Sequence, residues 1–449
     1  MRLGRFGAGL LSRDSRRSWL FAACACLPGV EPAIGEPLDG RELEAAAASL
    51  DRRVIEWRRH FHEHPELSNR EFKTAERIAQ YLRSLDLEVH SGIAHTGVAG
   101  VLRGGRPGPV IALRADMDAL PVTERVDVPF KSTAIGEYQG ETVGVMHACG
   151  HDGHMAILLG VAEVLAQRRN SLPGTVLFIF QPAEEGAPAG ERGGASLMLE
   201  EGLFEIVRPE AAFGLHLFSD LPVGVIGYRK GPFMAGSDRL RIVVTGRQTH
   251  GSRPWGGIDP IAAAAQIISG LQMVVSRQTD ISHLPVVITI GKIDGGVRAN
   301  IIPDSVEMHG TLRTFDADMR EAIIERIERT VTRTAEASGA TATLALGDDP
   351  NPVTRNDPAL TERMLPTLRR VAGAENVREI GLQTTAEDFA VYANRVPSLY
   401  FWVGVTPPGV DPEAAPSNHS PEFYLDEASL GVGMRALLHL AVEYLAPRR

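Results

Sequence analysis

The sequence predicts an α/β fold: a mostly parallel central sheet forming a catalytic-type domain, with a small ferredoxin-like (βαββαβ) domain inserted into it. Three observations predict it. Short continuous apolar runs alternate with helical patterns, as strands buried on both faces by packed helices require. Between about residues 236 and 347 the order of elements is β-α-β-β-α-β. Beyond that stretch the larger α/β pattern resumes.

The elements follow in order. From Arg41 to about Leu85 two helices are expected, with Val54, Trp57 and Phe61 at three-to-four spacing. The run Val110–Leu113 reads as a buried strand, His154–Arg168 as a helix packed across the sheet, and Thr175–Phe180 and Ala211–Leu215 as further buried strands. The inserted unit comprises strand Leu240–Thr245, helix Asp259–Arg277, strands Pro285–Lys292 and Ser305–Phe315, helix Asp318–Ser338 and strand Ala340–Leu346. A helix near Asp357, the strand Ser398–Val405 and the helix Asp426–Leu445 complete the outer pattern. The expected domains are therefore 41–235 with 348–449, and an insertion over 236–347.

Composition narrows the function. A chain of 449 residues, 44% hydrophobic, has material for two or three domains of roughly 150 residues and a large core. Its net charge of −10 argues against a nucleic-acid binder, which needs a basic excess. No apolar run reaches the ~18 residues of a membrane span. Three cysteines, Cys24, Cys26 and Cys149, are too few for a disulfide scaffold.

Residues 1–38 read as an export leader. Arg2, Arg5, Arg13, Arg16 and Arg17 precede a short apolar run, Trp19–Leu27, which Pro28 and Gly29 stop. Ser15-Arg16-Arg17-Ser18-Trp19-Leu20 is similar to a twin-arginine signal, with Trp where Phe is usual. This points to a periplasmic or extracellular protein; the alternative is a cytoplasmic one with a frayed extension. No good lipobox precedes Cys24 or Cys26.

Four segments place metal-ligand residue types at strand ends, where open α/β sheets bind ligands. They are Met146-His-Ala-Cys149-Gly-His151-Asp-Gly-His154, Gln181-Pro-Ala-Glu184-Glu185, Gly214-Leu-His216 and Ser417-Asn-His419-Ser-Pro421. Cys149 and His151, two apart in an irregular turn before a helix, can both face one site. Thiolate, imidazole and carboxylate together suit manganese or zinc, whose coordination preferences overlap. A bound divalent ion brings the pKa of water from about 16 to about 7, and a carboxylate beside a ligating carboxylate is well placed to move the proton. Glu184 and Glu185 form such a pair. Each segment alone has a structural reading: a core histidine, a small buried thiol, a solvated acidic pair. Their conjunction does not.

Arg114-Ala-Asp116-Met-Asp118 follows a buried strand, and Asp118, with Asp116 as the alternative, is placed to fix the tautomer of a ligating histidine. His60, His62 and His64 alternate along a helix end, facing different directions, and are read as structural or supporting. In the insertion, Thr249-His250-Gly-Ser252 can present an imidazole across a cleft, or leave His250 a surface histidine.

These residues resemble the M20 metallopeptidase family, in its amidohydrolase branch of hippurate hydrolases, N-acyl-amino-acid hydrolases and auxin-conjugate hydrolases. Besides the four segments, the resemblance rests on Phe61-His-Glu-His-Pro-Glu-Leu67, Leu113–Pro121, Asn300-Ile-Ile-Pro-Asp304 and Ala386-Glu-Asp-Phe389, and it runs from about residue 50 to 445. It implies a site for two divalent ions, Mn2+ or Zn2+, held by Cys149, His151, Glu185, His216 and His419, with Cys149 where the wider family has a bridging Asp. Glu184 would be the general acid/base, with Asp118 beside it in the catalytic set. The insertion would serve as lid and dimerisation domain of a homodimer, with His250 and Asn300 reaching an N-acyl amino acid substrate, in a partner subunit's site. Two departures matter. Asp116 stands where the wider family has a metal histidine, so its aminopeptidases and dipeptidases are poorer models. After His250 the branch often carries a Pro-His pair, whereas this chain has Arg253-Pro254-Trp255, which sets an aromatic at the expected substrate edge. The expected reaction is hydrolysis of the amide of an N-acyl amino acid; the alternatives are a metallodipeptidase, or a binding protein on the same fold.

Overall fold

The computed structural model describes residues 40–348 and 350–447. The expected export leader, with Cys24 and Cys26, lies outside the described residues.

Helices α1 (Gly40–Glu63) and α2 (Phe72–Ser84) lead into strands β1 (Glu88–Ile93), β2 (Gly97–Arg103) and β3 (Arg106–Asp116). Helix α3 (His151–Gln167) is followed by β4 (Pro173–Gln181), β5 (Ala211–Pro222) and β6 (Ile226–Tyr228). Then come β7 (Gly236–Thr245), the two-residue β8 (Thr249–His250), α4 (Pro260–Gln278), β9 (Val287–Asp294), β10 (Ile301–Ile302), β11 (Ser305–Thr314), α5 (Ala317–Ala337) and β12 (Thr341–Leu346). Helix α6 (Pro358–Ala372), β13 (Val377–Glu379), β14 (Ser398–Thr406) and α7 (Ala428–Leu445) close the chain.

The large sheet has eight strands in the order β1-β2-β4-β3-β5-β14-β6-β13. Its centre, β4-β3-β5-β14, is parallel, while β1, β2 and the β14–β6 pair are antiparallel. The central strands are buried on both faces, β14 along its whole length, which is why they read as unbroken apolar runs. One face packs beneath α1, α3 and α7 through Val54, Phe61, Leu158, Phe178, Phe213 and Leu437. The other face carries Leu177, Tyr400 and Trp402 in a second cluster.

The smaller sheet has the order β9-β11-β7-β12 with every pair antiparallel, as the βαββαβ order predicts. Strand β7 alternates buried Leu240, Ile242 and Val244 with more open Arg239, Arg241 and Val243. The buried set joins Ile267, Leu271, Ile327 and Val331 of α4 and α5 in a separate apolar cluster, leaving the opposite face of the sheet uncovered by helices.

Two expectations are corrected. Helix α3 begins at His151, three residues before the predicted start, because Gly150 adopts φ +94°, turning the chain directly into the helix. His60 and His64 do not diverge. One helical turn apart, their rings stack at 4.6 Å, and only His62 turns inward.

Candidate metal centre and active site

The site is built at the carboxyl ends of β3, β4 and β5, joined by the turn into α3 and the loop before α7. Gly150 lets Cys149 and His151 face the same space: its left-handed φ is open to glycine, and an added Cβ would lie 3.3 Å from that of Leu217. The loop after β4 carries Glu184 and Glu185, and β5 presents His216. His419 adopts φ +71°, an unusual conformation for a side-chain-bearing residue. Asn418 holds it there, donating to the carbonyls of Cys149 (3.1 Å) and Leu217 (3.0 Å) and accepting from Ser219 N (3.1 Å).

Around this space the ligand-type atoms converge. Cys149 Sγ is 3.3 Å from both His216 Nε2 and His419 Nε2. Glu185 Oε1 is 3.2 Å from His419 Nε2 and 3.9 Å from His151 Nε2. Two groupings share the thiol: Cys149, His151 and His216, and Cys149, Glu185 and His419. His151 Nε2 and Glu185 Oε1 are buried without a hydrogen-bond partner among the described residues, and such orphaned atoms are costly unless something fills the space between them.

The tautomers suit ligation. His216 Nδ1 donates to Leu217 O at 2.9 Å and His151 Nδ1 to Asp118 O at 2.8 Å, so each turns Nε2 toward the thiol. Burial, with His154 and His151 nearby, holds His216 well below the usual histidine range and therefore neutral. Burial opposes charge on His151, but Asp116 and Asp118 outweigh it and raise its pKa to about 10. Burial, then Glu185, Glu184 and Asp116, pushes the Cys149 thiol well above its ordinary value. A thiol held protonated among carboxylates is a site that lacks positive charge, and the five residues fit a pair of divalent cations.

Glu184 stands at the edge of the ligand set, part of a cavity of about 560 Å³ that also takes in Cys149, Glu185, His216, His419 and, from the smaller sheet, Arg239 and Arg313. Burial raises its carboxyl well above the usual range, reinforced by Glu387, Glu185 and Asp388. Glu387 and Asp388 belong to a buried cluster on Arg114, which reaches Asp116 (2.6 Å), Asp388 (2.7 Å) and Glu387 (2.9 Å).

The structure brings together Cys149, His151, Glu184, Glu185, His216 and His419. Asp118 lies beneath the ligands rather than at the cavity: its carboxylate accepts from Ser68 Oγ (2.7 Å), Glu184 N (3.1 Å) and Glu185 N (3.0 Å) and sits 3.4 Å from His151 Nδ1. It is a positioning residue. Asp116, the alternative, accepts instead from His154 Nδ1 at 2.5 Å, and Leu217 N donates to His154 Nε2, so both nitrogens of His154 are used within the protein. His62 is buried between Asp152 (2.8 Å) and Glu124 (3.1 Å), a supporting role.

His250 and Asn300 are not brought to this cavity. Both are exposed at the β8–β10 pair of the insertion, where Gly251 N donates to Asn300 O at 2.9 Å. Trp255 is 81% exposed beside them and Val297 89%. Sequence reading missed Arg239, Arg313 and Asn418; the first two sit in an ordinary alternating strand pattern, which gives no sign that its open face looks onto a cavity.

Comparison with known proteins places this geometry. Residues 112–443 match the model of peptidase family M20/M25/M40. An N-acetylcysteine deacetylase of Bacillus subtilis is 41% identical over 399 residues, 87% of this chain and 96% of the relative. Thermostable carboxypeptidase 2 of Saccharolobus solfataricus is 39% identical over 392 residues, 87% of this chain and 95% of that one. Among solved structures, a Bacillus subtilis protein described as a dinuclear metal binding peptidase of the M20 family superposes with a TM-score of 0.72 at 38% identity, covering 89% of this chain and 99% of its own.

Proposed function

The chain belongs to peptidase family M20/M25/M40 and is a metal-dependent hydrolase; on that premise we propose that it cleaves the amide bond of N-acyl amino acids. The observation that carries this reading is the convergence of Cys149, His151, Glu185, His216 and His419 on one space with Glu184 at its edge.

We assign two divalent ions to the five ligands; when bound, they polarise the amide carbonyl and acidify water. Glu184 accepts the proton of the attacking water and passes it to the leaving nitrogen. Burial, with Glu387, Glu185 and Asp388, raises its carboxyl, which suits the second half of that cycle. Arg239 and Arg313 extend from the smaller sheet into the same cavity and form no salt bridge among the described residues. A cavity with two unpaired guanidinium groups favours an anionic substrate, such as an acylated amino acid with a free carboxylate.

Glu184→Ala should lower turnover of N-acetyl and N-benzoyl amino acids by about 10²–10⁴-fold with little change in KM. Turnover at the parental rate would overturn the assignment. A peptidase is the second reading, favoured by the carboxypeptidase relative. A panel pairing each N-acyl amino acid with the matching dipeptide separates the two by kcat/KM. We further propose a homodimer in which the insertion delivers His250 and Asn300 to the partner subunit's site, since both are exposed and neither lines this chain's own cavity.

A further inference from the structure

We propose that Glu71 is a positioning residue of the active site, one that sets the turn carrying Glu184 and Glu185; this rests on the roles given to those two residues above. Glu71 is fully buried and occupies the N-cap position of α2, yet makes no capping hydrogen bond to its own helix. That work is done by Glu66, whose carboxylate accepts from Lys73 N (3.3 Å) and Thr74 N (2.9 Å). The Glu71 carboxyl is turned the other way. Its Oε1 accepts from Ala183 N at 3.0 Å, and Thr96 Oγ1 donates to its Oε2 at 2.6 Å.

Ala183 is the hinge of the turn. Its φ of +52° is in the left-handed region, which is unfavourable for a residue with a Cβ and persists only where surroundings impose it. The surroundings here are two buried carboxyl groups holding three consecutive amides. Ala183 N donates to Glu71, and Glu184 N and Glu185 N donate to the two oxygens of Asp118. Asp118 also faces His151, so it is tied to ligation directly. Glu71 touches no ligand and acts only through the turn. Releasing Ala183 N frees the strained residue to relax toward an ordinary φ, which rotates the following peptides and swings Glu184 and Glu185 off the cavity.

The test uses the full chain with Glu71→Leu and Glu71→Gln. The glutamine keeps an acceptor for Ala183 N and can donate to Thr96; the leucine keeps only the volume. Amide exchange at residues 183–185 in chelator-treated protein, and Mn2+ affinity by calorimetry, both read the turn without any substrate. For Glu71→Leu, exchange at the three amides should accelerate at least tenfold while core amides of β4 are unchanged. Mn2+ should bind at least tenfold more weakly, and kcat should fall more than KM rises. Glu71→Gln should stay within about threefold on every measure. A folded Glu71→Leu with parental exchange and Mn2+ affinity overturns the proposal, as does a glutamine variant as impaired as the leucine. Should the leucine variant not fold, Thr96→Val, which removes the donor orienting the carboxyl, is read on the same amides, and unchanged exchange there overturns it equally. Because exchange and Mn2+ binding involve no substrate, failure of the amidohydrolase reading shows separately, as parental protein that binds metal but cleaves no N-acyl amino acid.

Discussion

At the scale of residues, protons and metal compete for the same atoms. Cys149, raised by burial and by Glu185, Glu184 and Asp116, and His151, raised to about 10 by Asp116 and Asp118 against burial, both carry protons at neutral pH without metal. Loading the site must expel them, so affinity should climb with pH by up to about tenfold per unit for each proton released. Calorimetry in buffers of different ionisation enthalpy counts those protons, and a heat independent of buffer would contradict the assignment. Glu71 makes a second pH prediction. Burial and the nearby Asp118 raise its carboxyl to about 8, whereas in the unfolded chain it ionises near the ordinary carboxylate value. Between the two the folded state binds the extra proton, so stability falls as pH rises across that window and is unaffected outside it. Melting temperatures of Glu71→Gln should show a flatter profile from about pH 5 to 8 than the parent. The convergence of Cys149, His151, Glu184, Glu185, His216 and His419 was legible because ligand-type residues at strand ends are chemically conspicuous. Glu71 was not: an acid at a helix start reads as a helix-stabilising charge, and its partner Ala183 lies 112 positions along the chain.

At the scale of elements, the helical layer is tied to the site's scaffold by charge. Arg58 of α1 donates to Asp152 of α3 at 2.8 Å, and His62 Nδ1 lies 2.8 Å from the same carboxylate, all three buried. Removing one member of a buried charged set strands the others without solvent. Asp152→Ala should therefore cost about 3–5 kcal/mol, read as a lower urea midpoint, and should disturb His151 next to it. Most of the elements that were expected lie within a few residues of their observed bounds, because continuous apolar runs and amphipathic spacing are local properties, whereas the strands β1, β2, β6 and β13 were not expected. The strand order was not readable. Neighbours such as β2 with β4 and β5 with β14 pair segments far apart in sequence, and no local pattern records that choice. The start of α3 slipped for a local reason, since Gly150 reads as a helix breaker and serves instead as the entry to one.

For the whole molecule, the proposed dimer makes a demanding prediction. If His250 acts in the partner's site, Glu184→Ala and His250→Ala proteins are each inactive alone. Mixed after reversible dissociation, they should regain activity, because half the dimers are mixed and each has one intact site, about a quarter of all sites. A monomer by sedimentation, or no recovery from a mixed dimer confirmed by mass, would remove the partner's contribution. The mostly parallel large sheet and the βαββαβ order of the smaller one were both legible in sequence. That the open face of the smaller sheet turns Arg239 and Arg313 toward Cys149, His216 and His419 was not, because it depends on how two separately cored layers meet.

Cys149 and His419, whose atoms approach to 3.3 Å, are 270 positions apart in the chain. During synthesis the last of the proposed ligands emerges from the ribosome when nearly all the rest of the protein is already outside it. No nascent fragment can hold the complete ligand set, so ion selection is deferred to the finished chain. Where affinities for manganese and zinc overlap, availability decides between them. The ion this enzyme carries is then a record of the compartment in which its chain completed folding, and moving that event to a cell space with a different metal supply should change the metal without changing one residue.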